Sequence, residues 1–502
     1  MRMKPGRQKL RLTRRRALAV LGAGVVLSGT AQFLRHALGD AAPRAYPAAP
    51  PPPADADIVD VVLTARERSL ILDGKARPVW SYAADGSLPV IRLKRGQWLR
   101  ATLRNELAEH TSIHWHGIRL PNALDGVPYL TQAPVLPGQS FTYAFRPPDT
   151  GTFFFHPHCD TVTQLGRGLA GVLIVDGDVP EPYDADLVCA YRDWHLAGDG
   201  GFAPFITDRG ASRAGTFGTF GSVNDRALPL FQVPTQGDIR LRFLNLDMSR
   251  LIDLGVEGAE AWVIATDGNG LAPTQLDTWR LGPAMRLDLA FRAPAQAGAR
   301  VRLMNYYAAS PVPLAEFETV GPALQRPAFV PRALAAPSIP LPALDQAETF
   351  PLRLGSAAAP PEAGATAPAD IALPDGEVLR LADSLCLARR TFWALNGRPW
   401  PEGSADRTLP PPLAAFRRNR TYVIDIANAT PHPHPLHLHG HTFQVLSSSQ
   451  RRILPHFADT TLVLPKERLR IALVADNPGD WMVHCHIIEH QETGMMGYVH
   501  VA

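Results

Sequence analysis

A chain of 502 residues with 48 prolines and 40 glycines is long enough for roughly three domains of about 150 residues each, and it favours short strands and turns over long helices. Its formal charge of +3 misleads: the first 40 residues hold nine Lys/Arg and one acid, leaving 41 basic against 46 acidic residues, a net of −5. That mildly acidic remainder shows no basic stripe, which argues against nucleic acid as a partner, and four cysteines are too few for a disulfide scaffold.

In chain order, the first element is a targeting segment. A basic stretch ends in Thr13-Arg14-Arg15-Arg16-Ala17-Leu18, and an uncharged run follows from Ala17 to Leu34. The paired arginines and the small residues Gly22, Gly24, Ser28 and Gly29 resemble a twin-arginine signal. The resemblance implies export of the folded protein by the twin-arginine export machinery across a bacterial inner membrane, to the periplasm. The signal is placed at 1–31, cut near Ala31. The alternative is an uncleaved anchor, because the run has about the minimum length for a membrane span. A Pro/Ala-rich linker, 32–54, leads to the first domain.

The rest of the chain repeats itself. Asn105 lies nine residues before His114, and Asn428 nine before His437; Gly117 and Gly440 close the pairs that follow. Pro137 precedes Gly151 by fourteen residues, and Pro465 precedes Gly479 by fourteen; five further on stand His156 and His484. Gly168-Leu-Ala-Gly171 and Gly494-Met-Met-Gly497 each lead a terminal apolar strand. These offsets predict that 55–178 and 345–502 are two copies of one β-sandwich. A degenerate third copy, 182–322, lies between them: Asn245 precedes Leu254 by nine, Leu254-Gly-Val256 replaces a histidine pair, and Gly298 stands five residues before Leu303. It reads as a ligand-free spacer.

Four short pairs carry the chemistry: His114-Trp-His116, His156-Pro-His158, His437-Leu-His439 and His484-Cys-His486. Side chains alternate along a strand, so both histidines of a pair share one face. Eight imidazoles exceed what one metal ion could use. Cys485 must face away from His484 and His486, toward a second metal. Cys485, His490 and Met495 have the spacing of a cupredoxin's closing loop, and His434 supplies a second nitrogen. Two imidazoles, a thiolate and a weak axial thioether make a blue-copper site. Of the other cysteines, Cys189 and Cys386 are expected as buried free thiols, and Cys159 as a packing residue beside His158.

With those motifs, the chain resembles a three-domain multicopper oxidase of the bacterial laccase or metallo-oxidase kind, over essentially everything after the signal. The resemblance implies an all-β chain of three consecutive cupredoxin-like Greek-key β-sandwich domains and four copper ions. Type 1 copper falls on His434, Cys485, His490 and Met495, and type 2 on His114 and His437. The type 3 pair falls on His116, His156, His158, His439, His484 and His486. It also implies four one-electron substrate oxidations matched to reduction of O2 to water, with electrons leaving through Cys485 to its flanking histidines. Substrate would meet the first copper near His490. Asp125, eleven residues after His114, stands where the family carries a proton-supplying aspartate, although Asp125-Gly126 is also a turn signal. A departure is Gln491, where several relatives have an acid; either another route, through Glu489 or Glu492, relays protons, or turnover is slower.

Substrate is the open question. The first expectation is a laccase-type monomer oxidising phenols or aromatic amines. The second is a metallo-oxidase for Fe(II), Mn(II) or Cu(I), though only six methionines lie outside the signal, and none clusters as a cuprous site would favour. A non-catalytic copper-binding or cell-division relative ranks last, because every ligand position is filled.

Overall fold

The computed structural model describes residues 46, 48–178, 182–335, 337–357, 367–368, 371–372, 378–379, 391–401 and 408–502. The signal, most of the linker and Cys386 lie outside the described residues. Three pairs of β-sheets follow one another along the chain. The first pairs the sheet of Ile58–Leu72, Lys75–Ser81, Trp98–Asn105 and Ser140–Phe145 with that of Val90–Lys94, His114–His116, Gly151–His156 and Gly171–Asp176. The second and third each pair a six-stranded with a five-stranded sheet.

All three sandwiches are wired alike. In each, the opening strand runs parallel to a later one: Ile58–Leu72 beside Trp98–Asn105, Ala185–Trp194 beside Asp238–Asn245, and Glu348–Ser356 beside Thr421–Asn428. Parallel neighbours require a crossover rather than a hairpin. The strand Trp98–Asn105 alternates strictly, burying Leu99, Ala101, Leu103 and Asn105 against Trp115, Tyr143, Phe145 and Phe155.

The repeated asparagines have one job. Each sits at a strand end and braces the loop that follows. Asn105 Nδ2 donates to Glu109 O at 2.8 Å, Asn428 Nδ2 to His432 O at 2.7 Å, and Asn245 Nδ2 to Arg250 O at 2.8 Å. Their side-chain oxygens accept from the backbone two residues on. In the outer sandwiches the braced loop delivers a histidine-bearing strand. In the middle one it delivers Ile252–Glu257, which pairs Leu254 with Asn305 and Val256 with Leu303. Leu254 and Leu303 are fully buried in the sandwich core, so the positions that elsewhere face a partner domain here close the domain's own interior.

Among the described residues the α-helices are short: Thr161–Gly166, Asp208–Ala211 and Ile488–Glu492. Among the described residues, no helix is long and apolar enough to cross a membrane. One buried cluster contains residues from all three sandwiches, among them Val162, Leu165, Leu244, Met248 and Ile488.

Candidate metal centres

The antiparallel ladders set His114 opposite His156 and His437 opposite His484. All eight paired histidines are buried. Their rings interleave across the contact between the outer sandwiches: His114 stacks on His439 with centroids 3.8 Å apart, and His116 on His437 at 3.7 Å. Each stack takes one ring from each sandwich, so the cluster exists only where the two meet.

The ring nitrogens divide into tied and free. The Nδ1–H of His114, His156 and His437 donates to the backbone carbonyls of Asp125, Pro157 and Asp459, each at 2.8 Å. Their Nε2 atoms are buried without a hydrogen-bond partner, as are His158 Nε2 and both nitrogens of His486. His116 is inverted: its Nε2 bonds Asp459 Oδ1 at 3.0 Å, and its Nδ1 is the partnerless atom. His439 donates from Nδ1 to Asp125 Oδ2 at 2.9 Å, which leaves its Nε2 3.1 Å from His484 Nε2. A buried polar atom with no partner is costly, and lone pairs converging on one space suit a bound cation. Burial, reinforced by neighbouring imidazoles, holds His116, His158, His437 and His439 well below the ordinary histidine range; burial brings His484 down to about 3. These five rings are therefore neutral near pH 7, the form that binds metal.

Three groups of three ligand atoms each lie within 4.8 Å of one another: His116, His156 and His486; His158, His439 and His484; and His114, His116 and His437. Imidazole sets of this kind suit copper. The tied nitrogens fix each ring's tautomer and direction, the usual service of groups behind a metal ligand.

The second centre lies on the opposite face of the strand Gly479–Cys485. His434 Nδ1 and His490 Nδ1 are 3.1 Å apart, and Cys485 Sγ is 3.5 Å from each. Thr430 Oγ1 lies 2.8 Å from His434 Nε2, and His490 Nε2–H donates to Arg213 O at 2.7 Å. Both rings thus turn Nδ1 toward the sulfur. Burial pushes the Cys485 thiol up, so metal must displace its proton to gain the thiolate. Met495 is fully buried in the same core, its N–H bonded to His490 O and its carbonyl to Cys485 N. The neighbouring histidines, His484 and His486, belong to the first cluster, which places one covalent strand between the two centres.

Asp125 is both turn and site residue. It ends the short 3-10 turn Asn122–Leu124, and its carboxylate contacts His439, with Oδ1 3.2 Å from His114 Nδ1. Gly126, at φ +80°, has no room for a Cβ, which would sit 1.8 Å from Ile113 O. Around Gln491, Glu489 accepts from Thr207 N at 3.1 Å and Thr216 Oγ1 at 2.7 Å, and Glu492 from Thr161 N at 3.0 Å. Gln491 Nε2 reaches Thr161 Oγ1 at 3.3 Å.

Two expectations are corrected. Cys159 is disulfide-bonded rather than a packing thiol, whereas Cys189 is a free buried thiol. The middle sandwich is more than a spacer. From it come Arg213, which caps His490, and Arg286, whose guanidinium grips Asp459 at 2.8 and 2.6 Å. Asp267 accepts from the backbone N–H of Asp459 and Thr460; burial pushes its carboxyl up to about 7 against the pull of Arg286. Sequence reasoning also passed over Trp393, whose ring centroid lies 4.8 Å from His490 and 5.3 Å from His434. Isolated arginines and a tryptophan outside the repeats give no pattern to find.

Comparison with known proteins agrees with this chemistry. Two family profiles, both described as multicopper oxidase, match residues 64–179 and 382–502. The chain is 28% identical over 472 residues to multicopper oxidase MmcO of Mycobacterium tuberculosis, covering 87% of this chain and 86% of that one. Its fold is similar to the crystal structure of a multi-copper oxidase from Pseudomonas thermotolerans, with a TM-score of 0.77 and 36% identity over 89% of this chain and 100% of that one. A multi-copper oxidase from Pseudomonas parafulva gives 0.73 and 34%, over 88% and 100%.

Proposed function

The chain belongs to the multicopper oxidase family, copper-dependent enzymes with O2 as acceptor, and from that premise we propose that its reductant is a small electron-rich aromatic, a phenol or an aromatic amine. The observation that carries this is a cavity of about 720 Å³ beside the Cys485 centre. It is lined by Trp393, His432, Thr430, Asn396, Arg353 and Ser212 among others, and no described lining residue is a carboxylate or a thioether. A hard divalent cation asks for oxygen anions and Cu(I) for soft sulfur, whereas an indole wall, hydrogen-bonding side chains and the cationic Arg353 suit an aromatic ring with a polar substituent rather than a metal cation. Trp393 stands between that cavity and both ring ligands. His490 and His434 are fully buried, so a reductant meets the indole before it meets either ligand imidazole.

We assign four coppers. His434, Cys485, His490 and Met495 take the type 1 ion, and His114 with His437 the type 2 ion. One type 3 ion goes to His116, His156 and His486, the other to His158, His439 and His484; the partnerless nitrogens and the three-ring groups support this division. Bound there, copper supplies one-electron acceptance at the thiolate centre and four-electron delivery to O2 at the histidine cluster. The protein's part is orientation and proton supply. Asp125 fixes His439 through Oδ2, and its Oδ1 is buried without a hydrogen-bond partner; the acid–base role at the cluster is assigned to this carboxylate. Export by the twin-arginine machinery to the periplasm completes the reading, supported by Arg14-Arg15-Arg16 and the uncharged run behind them.

The test is O2 uptake by the copper-loaded protein with 2,6-dimethoxyphenol against Fe(II), Cu(I) and Mn(II). Faster turnover of the phenol is expected, and Trp393→Leu should raise its KM more than it alters turnover of an outer-sphere reductant. A strong preference for one metal ion would move the role to metal homeostasis.

A further inference from the structure

The middle sandwich carries none of the metal ligands, yet it drives a fully buried charge into the wall of the histidine cluster. Arg286 opens the strand Arg286–Arg292, and its side chain is 0% exposed. Its guanidinium donates to Asp459 by two parallel hydrogen bonds of 2.8 and 2.6 Å, to Thr152 O of the first sandwich at 3.2 Å and to Ala284 O at 3.1 Å, and Asp267 Oδ1 lies 3.4 Å from Nη1. It is thus a three-way junction, with a guanidinium from the middle domain, a carbonyl from the first and a carboxylate from the third. A planar fork of this kind sets the plane of a carboxylate as well as its charge.

Asp459 passes that orientation on. Oδ1 receives the Nε2–H of His116 at 3.0 Å, and the backbone carbonyl of the same residue receives the Nδ1–H of His437 at 2.8 Å. Thr460 Oγ1 lies 3.1 Å from both His116 Nε2 and His437 Nδ1 and donates to Asp459 Oδ1 at 2.9 Å. Asp267, also from the middle domain, fixes the backbone here by accepting from Asp459 N at 3.2 Å and Thr460 N at 3.0 Å. His116 and His437 are a stacked pair from different sandwiches, so one middle-domain clamp governs a ring on each side of the cluster.

We propose that Arg286 is a positioning residue for the copper cluster: through Asp459 it keeps the proton of His116 on Nε2 and so presents Nδ1 to metal, while holding the backbone that aims His437. The inference rests on the reading of the eight histidines as a copper site. Nothing in the clamp touches His434, Cys485 or His490, so its loss is felt at one centre and spared at the other. That asymmetry is the signature that a general folding role lacks.

The experiment uses the full-length copper-loaded protein and two variants, Arg286→Met and Arg286→Lys. The readouts are copper content after graded chelation, the electron paramagnetic resonance signal of the non-blue copper, the blue thiolate-to-copper absorbance, and Tm. Arg286→Met is expected to lose cluster copper about 10–100-fold more readily and to alter the non-blue signal, with the blue absorbance kept. Arg286→Lys keeps the charge without the fork and should show a smaller change in the same signals. An unchanged non-blue signal and unchanged retention in either folded variant overturns the proposal, as does equal loss from both centres. Where Arg286→Met fails to fold, Arg286→Lys decides by the same comparison. A wild-type protein that takes copper only at Cys485 refutes the cluster reading itself and is recognised before any variant is made.

Discussion

The Cys485 centre and the histidine cluster share a strand but are built on different plans. Cys485 and His490 come from one strand-to-helix turn, and His434 from the neighbouring strand of the same sandwich. The cluster instead draws His114, His116, His156 and His158 from the first sandwich and His437, His439, His484 and His486 from the third, with an arginine clamp from the second. The local centre is specified by one hydrophobic core, which contains Cys485, Ile487 and Met495. The cluster is specified by an interface. A site of the first kind keeps its ligands within one sandwich and takes from another the Arg213 carbonyl behind His490, while a site of the second loses its ligand set whenever domain contact loosens.

The sharpest break is Cys485→Ser. A hydroxyl has neither the softness nor the acidity of a thiol, so the blue absorbance should vanish and turnover fall to background. The cluster should keep its copper, measured by metal content and by the non-blue resonance signal. Asp125→Ala attacks the other side. It removes the acceptor of the His439 Nδ1–H, and a loss of about 10–100-fold in cluster affinity or turnover is expected, with the blue absorbance intact. Equal damage to both centres would count against the separation drawn above.

Gly126→Ala acts on the same wall through the backbone. At φ +80° and 1.8 Å from Ile113 O, the added Cβ forces a shift beside His114. A cost of about 2–4 kcal/mol is expected, read as a lower Tm with copper retention at the cluster falling first. The mildest probe is pH. Burial brings His484 and His490 from 6.5 down to about 3. Below pH 6.5 the unfolded chain binds protons that these buried rings refuse, so this contribution to stability is intact above 6.5 and is lost as pH falls toward 3. The metal-free protein should show a Tm independent of these groups above pH 6.5 and falling below it. A Tm that rises on acidification would reverse the assignment of neutral, buried imidazoles.

The all-β architecture was legible because its signals are local and periodic. Histidines at alternate positions share a face whatever they pack against, and a cysteine between two of them has to face away. Asn105, Asn245 and Asn428 repeat because each braces the same loop, so their offsets trace a physical unit. What stayed hidden is long-range. Arg286 meets Asp459 across 173 residues, and Asp267 bonds its backbone across 192. Neither arginine nor aspartate carries a periodicity that names its partner. The middle copy looked idle for the same reason: its pattern showed leucines replacing histidines, while its contribution sits on Arg286, Asp267 and Arg213, outside that pattern. Trp393 lies in the short strand Trp393–Leu395, away from every repeated offset, and Cys159 gave no sign in the sequence of being bonded.

The interleaved stacking of His114 on His439 and His116 on His437 also fixes a timetable. Asp125 and the His439 that it steadies are 314 residues apart in the chain, and His484 and His486 follow later still. No nascent chain presents the cluster to a metal ion, because half of its ligands have not yet been synthesised when the first half is complete. Loading is therefore an event in the life of the finished molecule. The compartment in which the last sandwich closes, rather than the one in which translation begins, decides which metal the eight imidazoles first encounter.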